Sequence, residues 1–409
     1  MIRTNLRVLV PTSIFAGMAA IVLCFGIQGS AMSQASSKPD TPIPNPNAFD
    51  TLGLAYSQFQ DLDAITGAFT GIPDSKNQQT VIDKIGVTQA TEIVAENQVA
   101  YATLRQALQQ QYAAPPAHTL AATFPYLAHD RAMARALSFD ALLKERQGDW
   151  TGAMEDSLDA LQMADLLASH GLLVHDLVSI ACAAIGRRAA WVALDNLPYS
   201  DSMSAERRLE TIISNRTPLF LTMANDQKCA ETSITDLDSD PRTVDDKSQI
   251  LAMYDRYMAR CEATAKLPYP AAKAAGDPPL PTDSVAGTLP PPPSTLIFRA
   301  VQDLTFDRLL MTSLALRAYS LDHQGTYPAS LTELTPKYMT KLPIDPFGNG
   351  TAPLVYRNTG TSYLLYSIGP DGKDNGGAPF IHTNKDGTLT QRYCVPDDTG
   401  DIVAGVNYG

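Results

Sequence analysis

The sequence predicts a mainly α-helical protein, in which a helical bundle is followed by a small α+β domain with a short antiparallel sheet. Apolar residues recur at helical spacing from residue 49 to about residue 216. Nine prolines then fall between Pro268 and Pro293, and their density predicts a stiff spacer. Beyond this spacer, the pattern of one long helix is followed by alternating aromatic residues around an Asn/Gly turn, which is typical of a β-hairpin.

The N-terminus carries the pattern of an export segment. Arg3 and Arg7 precede an apolar run from Val8 to Ile27, and small residues follow that run. The run is also nearly long enough to span a bilayer. We therefore interpret residues 1–35 as a cleaved signal peptide or an uncleaved membrane anchor. Both alternatives export the body, to the periplasm or the outer face of the inner membrane, with residues 36–48 as a polar, Pro-rich linker.

The helical domain is expected at residues 49–225. Gln78–Tyr112 has few helix breakers and reads as continuous helix, and Ser204 is a good N-cap for a later one. Gly148–Leu161 resembles the second half of a tetratricopeptide unit, in which a Gly turns the chain and small residues let two helices approach. Because no second copy follows at the expected period, this stretch predicts one helical hairpin within an irregular bundle.

Residues 226–295 are expected to form an acidic and Pro-rich linker region. Cys229 and Cys261 flank its acidic part, and an oxidising compartment would allow them to pair. A disulfide here would stabilise the fold by about 3–4 kcal/mol, and two unpaired thiols are the alternative. None of the cysteines lies in a CxxC pair, so the sequence does not favour a zinc site.

Charge and motifs argue against two classes of function. The chain has 43 Asp and Glu against 31 Lys and Arg, without a dense basic run, so we expect no nucleic-acid binding. It lacks GxSxG, HExxH, Walker and GxGxxG motifs, and His170 and His175 are too far around a helix to share a ligand. The pair Glu155-Asp156 reads as a solvated helix face. We therefore expect no enzymatic activity.

Three punctuated blocks follow the long helix that is predicted from Leu296 to Asp322. They are Tyr327-Pro328 after Gly325, then Asp345-Pro346-Phe347-Gly348-Asn349, then Ser367-Ile368-Gly369-Pro370-Asp371-Gly372. In this order they resemble the C-terminal head of the major pseudopilin of bacterial type II secretion systems. The resemblance covers about residues 300–405 and implies a non-catalytic, calcium-stabilised α+β domain at residues 296–409. The pseudopilin N-terminus has no counterpart here, so assembly into a pilus is not implied.

The resemblance also implies a calcium site. Asp371 and Asp401 fall where pseudopilins place ligands, and Asp374 and Asp398 come next. Calcium takes six to eight oxygens from carboxylates and carbonyls, which a Gly-rich acidic loop can supply. The last acids are spaced as Asp-x-x-Asp, and Phe380–Arg392 is an insertion, so the coordination is expected to differ. A solvent-facing acidic turn without an ion is the alternative.

These observations together predict a non-enzymatic exported envelope protein with a helical interaction body and a pseudopilin-like, calcium-stabilised head. The expected partners are envelope or secretion-apparatus proteins, and membrane contact is expected only through an uncleaved N-terminal anchor. Two other functions stay open at this point. One is an exported enzyme with an unrecognised active site in the helical body, and the other is a helical-repeat adaptor.

Overall fold

The computed structural model describes most of the chain beyond residue 42. The described residues are 43–71, 78–115, 122–169, 171–236, 244–279, 292–384, 387–391 and 394–407. The predicted export segment, residues 1–35, and His170 lie outside them, as does most of the predicted linker at 36–48. Residues 43–409 form one compact unit.

The predicted fold class, mainly α with a small C-terminal antiparallel sheet, is confirmed. The α-helices of the described residues are α1 (Ala48–Gln58), α2 (Leu62–Ala68), α3 (Thr80–Ile85), α4 (Val87–Glu96), α5 (Gln98–Ala107), α6 (Tyr126–Gln147), α7 (Trp150–Ala168), α8 (Leu173–Ala193), α9 (Tyr199–Asn215), α10 (Leu219–Asp236), α11 (Val244–Ala265), α12 (Tyr269–Ala275) and α13 (Pro293–Asp322). Two short 3-10 turns, Leu194–Asn196 and Leu331–Leu334, follow α8 and α13.

Helices α6, α7 and α8 form the centre of the bundle. Gly148 turns the chain between α6 and α7 with φ of 79°, and the Asp149 carboxylate accepts the Gly152 N–H at 2.9 Å as an N-cap. The predicted hairpin is therefore present. On α8, Gly186 lies so close to α7 that a Cβ atom there would be 2.5 Å from the Cβ of Ala160. Small residues thus set the spacing of these two helices.

Helix α8 is also the most apolar long helix of the described residues. The stretch Leu173–Asn196 would be long enough to cross a bilayer; its 18 most apolar consecutive residues have a mean hydropathy of 1.5, and 67% of them are buried within the fold. A buried core helix of a helical bundle can have the same length and composition as a membrane-spanning helix.

Two helix boundaries differ from the sequence expectation. Gln78–Tyr112 is not one continuous helix, because Gly86, with φ of 90°, separates α3 from α4, and Asn97 separates α4 from α5. The Asn97 side chain accepts the N–H of Gln60 at 2.7 Å and donates to its carbonyl at 3.1 Å. The predicted start at Ser204 is wrong too, since α9 begins at Tyr199, directly after Pro198.

The stretch expected as a linker, residues 226–295, contains the end of α10 together with α11 and α12. Helices α10 and α11 pack on each other and share a small apolar core. The buried members of that core are Leu173, Met223, Ala230, Tyr254, Tyr257, Met258, Cys261 and Leu296. Because Leu173 belongs to α8 and Leu296 to α13, this stretch is tied to both the bundle and the C-terminal part.

The C-terminal part places α13 against a three-stranded antiparallel sheet. Its strand order is β1 (Val355–Asn358), β2 (Tyr363–Ser367) and β5 (Ile402–Val403). The predicted hairpin is confirmed, with Asn358 opposite Tyr363 across the turn. Two further short strands, β3 (His382–Thr383) and β4 (Leu389–Thr390), pair in a separate antiparallel ribbon.

The Asp-Pro-Phe-Gly-Asn block fastens this sheet to the loop before it. The Asp345 carboxylate is 2% exposed and accepts the N–H of Phe347, the hydroxyl of Ser367 and the N–H of Ile368 at 3.0, 2.6 and 2.9 Å. Burial raises the pKa of Asp345, and these three hydrogen bonds oppose the rise by favouring the charged form. The block therefore closes its own turn and holds the end of β2.

Candidate functional site

The acidic loop after β2 brings Asp374 and Asp401 to one place. Asp401 is fully buried, and its carboxylate accepts the N–H of Asn375 at 3.2 Å and of Gly377 at 2.7 Å. Asp374 is exposed and accepts the Tyr366 hydroxyl and the Gly376 N–H, both at 2.8 Å. The loop is thus folded around the two carboxylates by its own N–H groups.

Two glycines allow the loop after β2 to pass close to the segment that precedes β5. Gly369 has φ of 70°, and a Cβ atom there would lie 2.2 Å from the carbonyl oxygen of Gly400. Gly400 has φ of 112°, and a Cβ there would lie 2.9 Å from the backbone of Phe380. Larger residues would force the two chain segments apart, which explains the Gly of the Ser-Ile-Gly-Pro-Asp-Gly block.

The four predicted calcium ligands differ in their contacts. Burial raises the pKa of Asp401; the N–H groups oppose the rise, and the charges of Asp374 and Asp371 add to it, so these three carboxylates act on one another. Asp398 instead accepts the Val395 N–H at 2.8 Å and contacts the His382 ring nitrogen at 3.0 Å. Within the described ranges, no three His, Cys, Asp or Glu side chains converge as a preformed metal site. The calcium site stays a prediction, with Asp371, Asp374, Asp398 and Asp401 as its predicted ligands.

The disulfide expected between Cys229 and Cys261 is not present. Both side chains are buried as thiols on α10 and α11, and burial raises the pKa of each to about 11. The sequence presents the stretch that holds both cysteines as an acidic linker region. The structure corrects that premise, because Tyr254, Tyr257 and their neighbours give α10 and α11 a core of their own.

Two ion clusters lie inside the helical body. In the first, Asp156 is fully buried and contacts Arg105 at 2.5 Å and Lys144 at 2.6 Å. The prediction that Asp156 lies on a solvated helix face is therefore wrong. Its neighbour Glu155 is exposed, so the two residues lie on different faces of α7.

The second cluster joins α8 to α13. Arg187 is 1% exposed and contacts Asp303 at 2.5 Å and Asp307 at 2.7 Å, and Arg216 contacts the same two acids. Burial disfavours the charge of Asp307, but the two guanidinium groups outweigh it and lower its pKa. These charges satisfy one another, which favours a structural role for them.

A third cluster of polar groups borders a cavity, which we call the Asp130 pocket. Helix α1 contributes Phe49, Leu52, Gly53 and Tyr56, and the first turns of α6 contribute Tyr126, His129, Asp130 and Met133. Tyr112, which follows α5, completes the lining. The pocket offers about 30 Å³ for the centre of a water-sized group.

Aromatic contacts fix the walls of the Asp130 pocket. Tyr56 stacks on His129 with ring centres 3.8 Å apart and planes 12° apart. The edge of one ring meets the face of the other between Phe49 and Tyr126, at 5.0 Å and 90°. Phe49 also contacts Tyr112 at 6.1 Å. These ring contacts fix the position of α1 relative to α6 and to Tyr112, which follows α5.

The carboxyl group of Asp130 is the unusual member of the pocket. Its side chain belongs to a residue that is 4% exposed, and Oδ2 has no hydrogen-bond partner. Burial raises its pKa to about 7. The hydroxyl of Tyr112, 5% exposed as a residue, also lacks a partner. A folded protein rarely leaves two buried polar groups of one cavity unpaired.

Behind the pocket, His175 positions Tyr126. The His175 Nδ1 atom accepts the Leu172 N–H at 3.0 Å, so the ring proton is on Nε2, which lies 2.7 Å from the Tyr126 hydroxyl. Burial lowers the pKa of His175 to about 4, which keeps the ring neutral. His175 therefore donates to Tyr126 and leaves the hydroxyl hydrogen of Tyr126 available.

Sequence reasoning missed the Asp130 pocket. It gave His129 and Asp130 no role, and it considered His175 only as a residue that does not share a ligand with His170. One signal was present, because Tyr126, His129 and Asp130 are spaced i, i+3 and i+4 and so share a face of α6. The contribution of α1, about 70 residues earlier in the chain, carries no such signal.

Comparison of the chain with protein-family models, with curated proteins and with solved structures found no match.

Proposed function

We propose that this chain is a non-enzymatic exported envelope protein, in which a helical interaction body carries a calcium-stabilised α+β head. Its proposed partners are envelope proteins of a secretion or pilus apparatus. The observation that carries this proposal is the acidic loop at residues 369–377, which wraps Asp401 at the start of β5.

The geometry of this loop supports a cation between its carboxylates. Each carboxylate oxygen has two lone pairs, so an oxygen that accepts one N–H can still bind a metal ion. Asp374 and Asp371 raise the pKa of Asp401 through their charges, and a divalent cation would relieve that repulsion. The proposed ligands are Asp371, Asp374, Asp398 and Asp401, and backbone carbonyls of the loop would supply further oxygens.

The charged groups of the helical body support a binding role over a catalytic one. In one cluster Arg105 and Lys144 pair with the acids Asp140, Asp156 and Asp159, and in the other Arg187 pairs with Asp307. The clusters link different helices, and their acidic members are buried. This arrangement suits a rigid body that offers its surface to a partner.

The test is thermal unfolding of the purified exported chain with calcium and with chelator. We expect a higher midpoint with calcium, and we expect Asp374→Asn to remove most of that response because it removes the charge of an exposed ligand. Asp397→Asn is the matched control, since Asp397 is exposed in the same domain but outside the loop. Equal midpoints in calcium and chelator, or a full response in Asp374→Asn, would exclude the calcium site.

Partner binding and export need a second measurement. Affinity purification of the tagged chain from detergent-extracted envelopes should recover secretion or pilus proteins. Recovery of the chain in the cytoplasmic fraction would contradict export, whatever the calcium result.

A further inference from the structure

We propose that the Asp130 pocket binds the primary ammonium group of a small aliphatic amine, with the alkyl chain directed toward the mouth of the pocket. This site lies in the helical body and is independent of the calcium loop. Four observations lead to it: an unpartnered buried carboxyl, an unpartnered buried hydroxyl, aromatic walls, and a cavity of limited size.

The unpaired acid indicates the charge of the ligand. An acid with 4% exposure and no hydrogen-bond partner for Oδ2 destabilises a fold unless something compensates it. The other titratable side chains of the lining cannot do so at neutral pH. Tyr112 and Tyr126 are neutral, and burial lowers the pKa of His129, which keeps it neutral as well. An external cation would complete the pocket.

The walls and the polar atoms indicate an ammonium group. Aromatic rings stabilise a cation through their negatively charged faces, and Phe49, Tyr56, Tyr112 and Tyr126 all line the cavity. An ammonium group has three N–H donors. Asp130 Oδ2 and the Tyr112 hydroxyl oxygen are two acceptors that the protein leaves without a partner.

The size of the cavity excludes bulkier cations. A volume of about 30 Å³ for water-sized centres admits two or so water-sized groups. A primary ammonium with its first methylene fits this space, whereas a quaternary ammonium with four methyl groups exceeds it. Leu52 and Met133 provide apolar contacts for the methylene.

The mouth of the pocket is open on the α1 side. Gly53 is exposed there, and a Cβ atom at this position would meet nothing within 4 Å. Tyr56 and His129 are half-buried beside it. An alkyl chain can therefore leave past Gly53, and the formal net charge of −12 favours the approach of a cation.

The test is calorimetric titration of the exported chain with n-butylammonium at pH 8.5. Two probes serve as comparisons, n-butanol for the charge and tetramethylammonium for the size. We expect n-butylammonium to bind, and both comparison probes to bind at least about tenfold more weakly, because each loses the charged hydrogen bonds. Asp130→Asn should weaken n-butylammonium by at least about tenfold for the same reason, and Tyr112→Phe should weaken it less.

The matched control is Asp63→Asn, which removes an exposed acid of α2 and should bind n-butylammonium as the parent does. Absence of n-butylammonium binding to the parent chain would overturn the proposal. So would equal affinity in Asp130→Asn, and tetramethylammonium binding as tight as n-butylammonium would overturn the size argument. Folding of Asp130→Asn is checked by its urea unfolding, where the variant is expected to be the more stable protein.

Discussion

Replacing Asp130 by Asn should stabilise the fold at alkaline pH, because the parent side chain is a buried acid without a partner for Oδ2. Burial raises its pKa from the ordinary value of 3.8 to about 7. The folded protein therefore holds this proton more tightly than the unfolded chain does. The stability that comes from this proton is complete below about pH 4 and is lost as the pH rises to about 7.

The magnitude follows from the size of the pKa change. About three pKa units at 1.36 kcal/mol each give a loss of roughly 4 kcal/mol for the parent between pH 4 and pH 8. Asn does not titrate, so the difference between the variant and the parent should grow by roughly this amount over the same range. The buried Asn amide, if it lacks a partner, lowers the free energy of unfolding of the variant by about 1–3 kcal/mol at every pH.

The assay is urea unfolding of the parent, Asp130→Asn and Asp63→Asn at pH 4.5, 6 and 8.5. Other buried acids also titrate, so the quantity to compare is the pH dependence of the difference from the parent. Asp63→Asn should show a flat difference, since Asp63 is exposed. A flat difference for Asp130→Asn, or one that becomes less favourable as the pH rises, would refute the reasoning about this carboxyl.

Two further substitutions test how the helices are held together. Arg187→Met removes a buried partner of Asp303 and Asp307. The substitution should lower the free energy of unfolding by about 3–5 kcal/mol. Arg146→Met, at an exposed pair, should lower it by less than about 1 kcal/mol, and equal losses would contradict the burial argument. Gly186→Ala should cost about 1–3 kcal/mol through its contact with Ala160. Gly67→Ala, in open space on α2, should be neutral or stabilising, and a neutral Gly186→Ala would mean that α7 and α8 separate freely.

The parts of the fold that could be predicted depend on local rules. The hairpin of β1 and β2 follows from alternating aromatic residues around Asn358 and Gly360. The turn at Gly148 follows from a residue that accepts positive φ. The short turn after Ser330 is capped by Ser330 and Glu333, as its sequence suggests. In each case the residues that decide the structure are neighbours in the chain.

The parts that could not be predicted depend on partners far away in the sequence. Asn97 ends α4 because it binds the backbone of Gln60, 37 residues earlier. The helical period of α7 allows Asp156 to face solvent or the core. Only Arg105 and Lys144, on other helices, decide that it is buried. Likewise, the acidic residues between Asp226 and Asp240 give no sign of the core that Tyr254 and Tyr257 of α11 form with Ala230 of α10.

The contrast between Asp130 and Asp156 explains why one buried acid is a candidate site and the other is not. Burial raises the pKa of both carboxyls. Asp156 has Arg105 and Lys144 within 2.6 Å, so the protein itself neutralises its charge. Asp130 lines a cavity, and its Oδ2 has no partner. An acid that the fold has already paired serves stability, whereas an unpaired acid beside a cavity reduces stability until a cation binds. If Asp130→Asn both stabilises the chain and loses the amine, that difference is the reason.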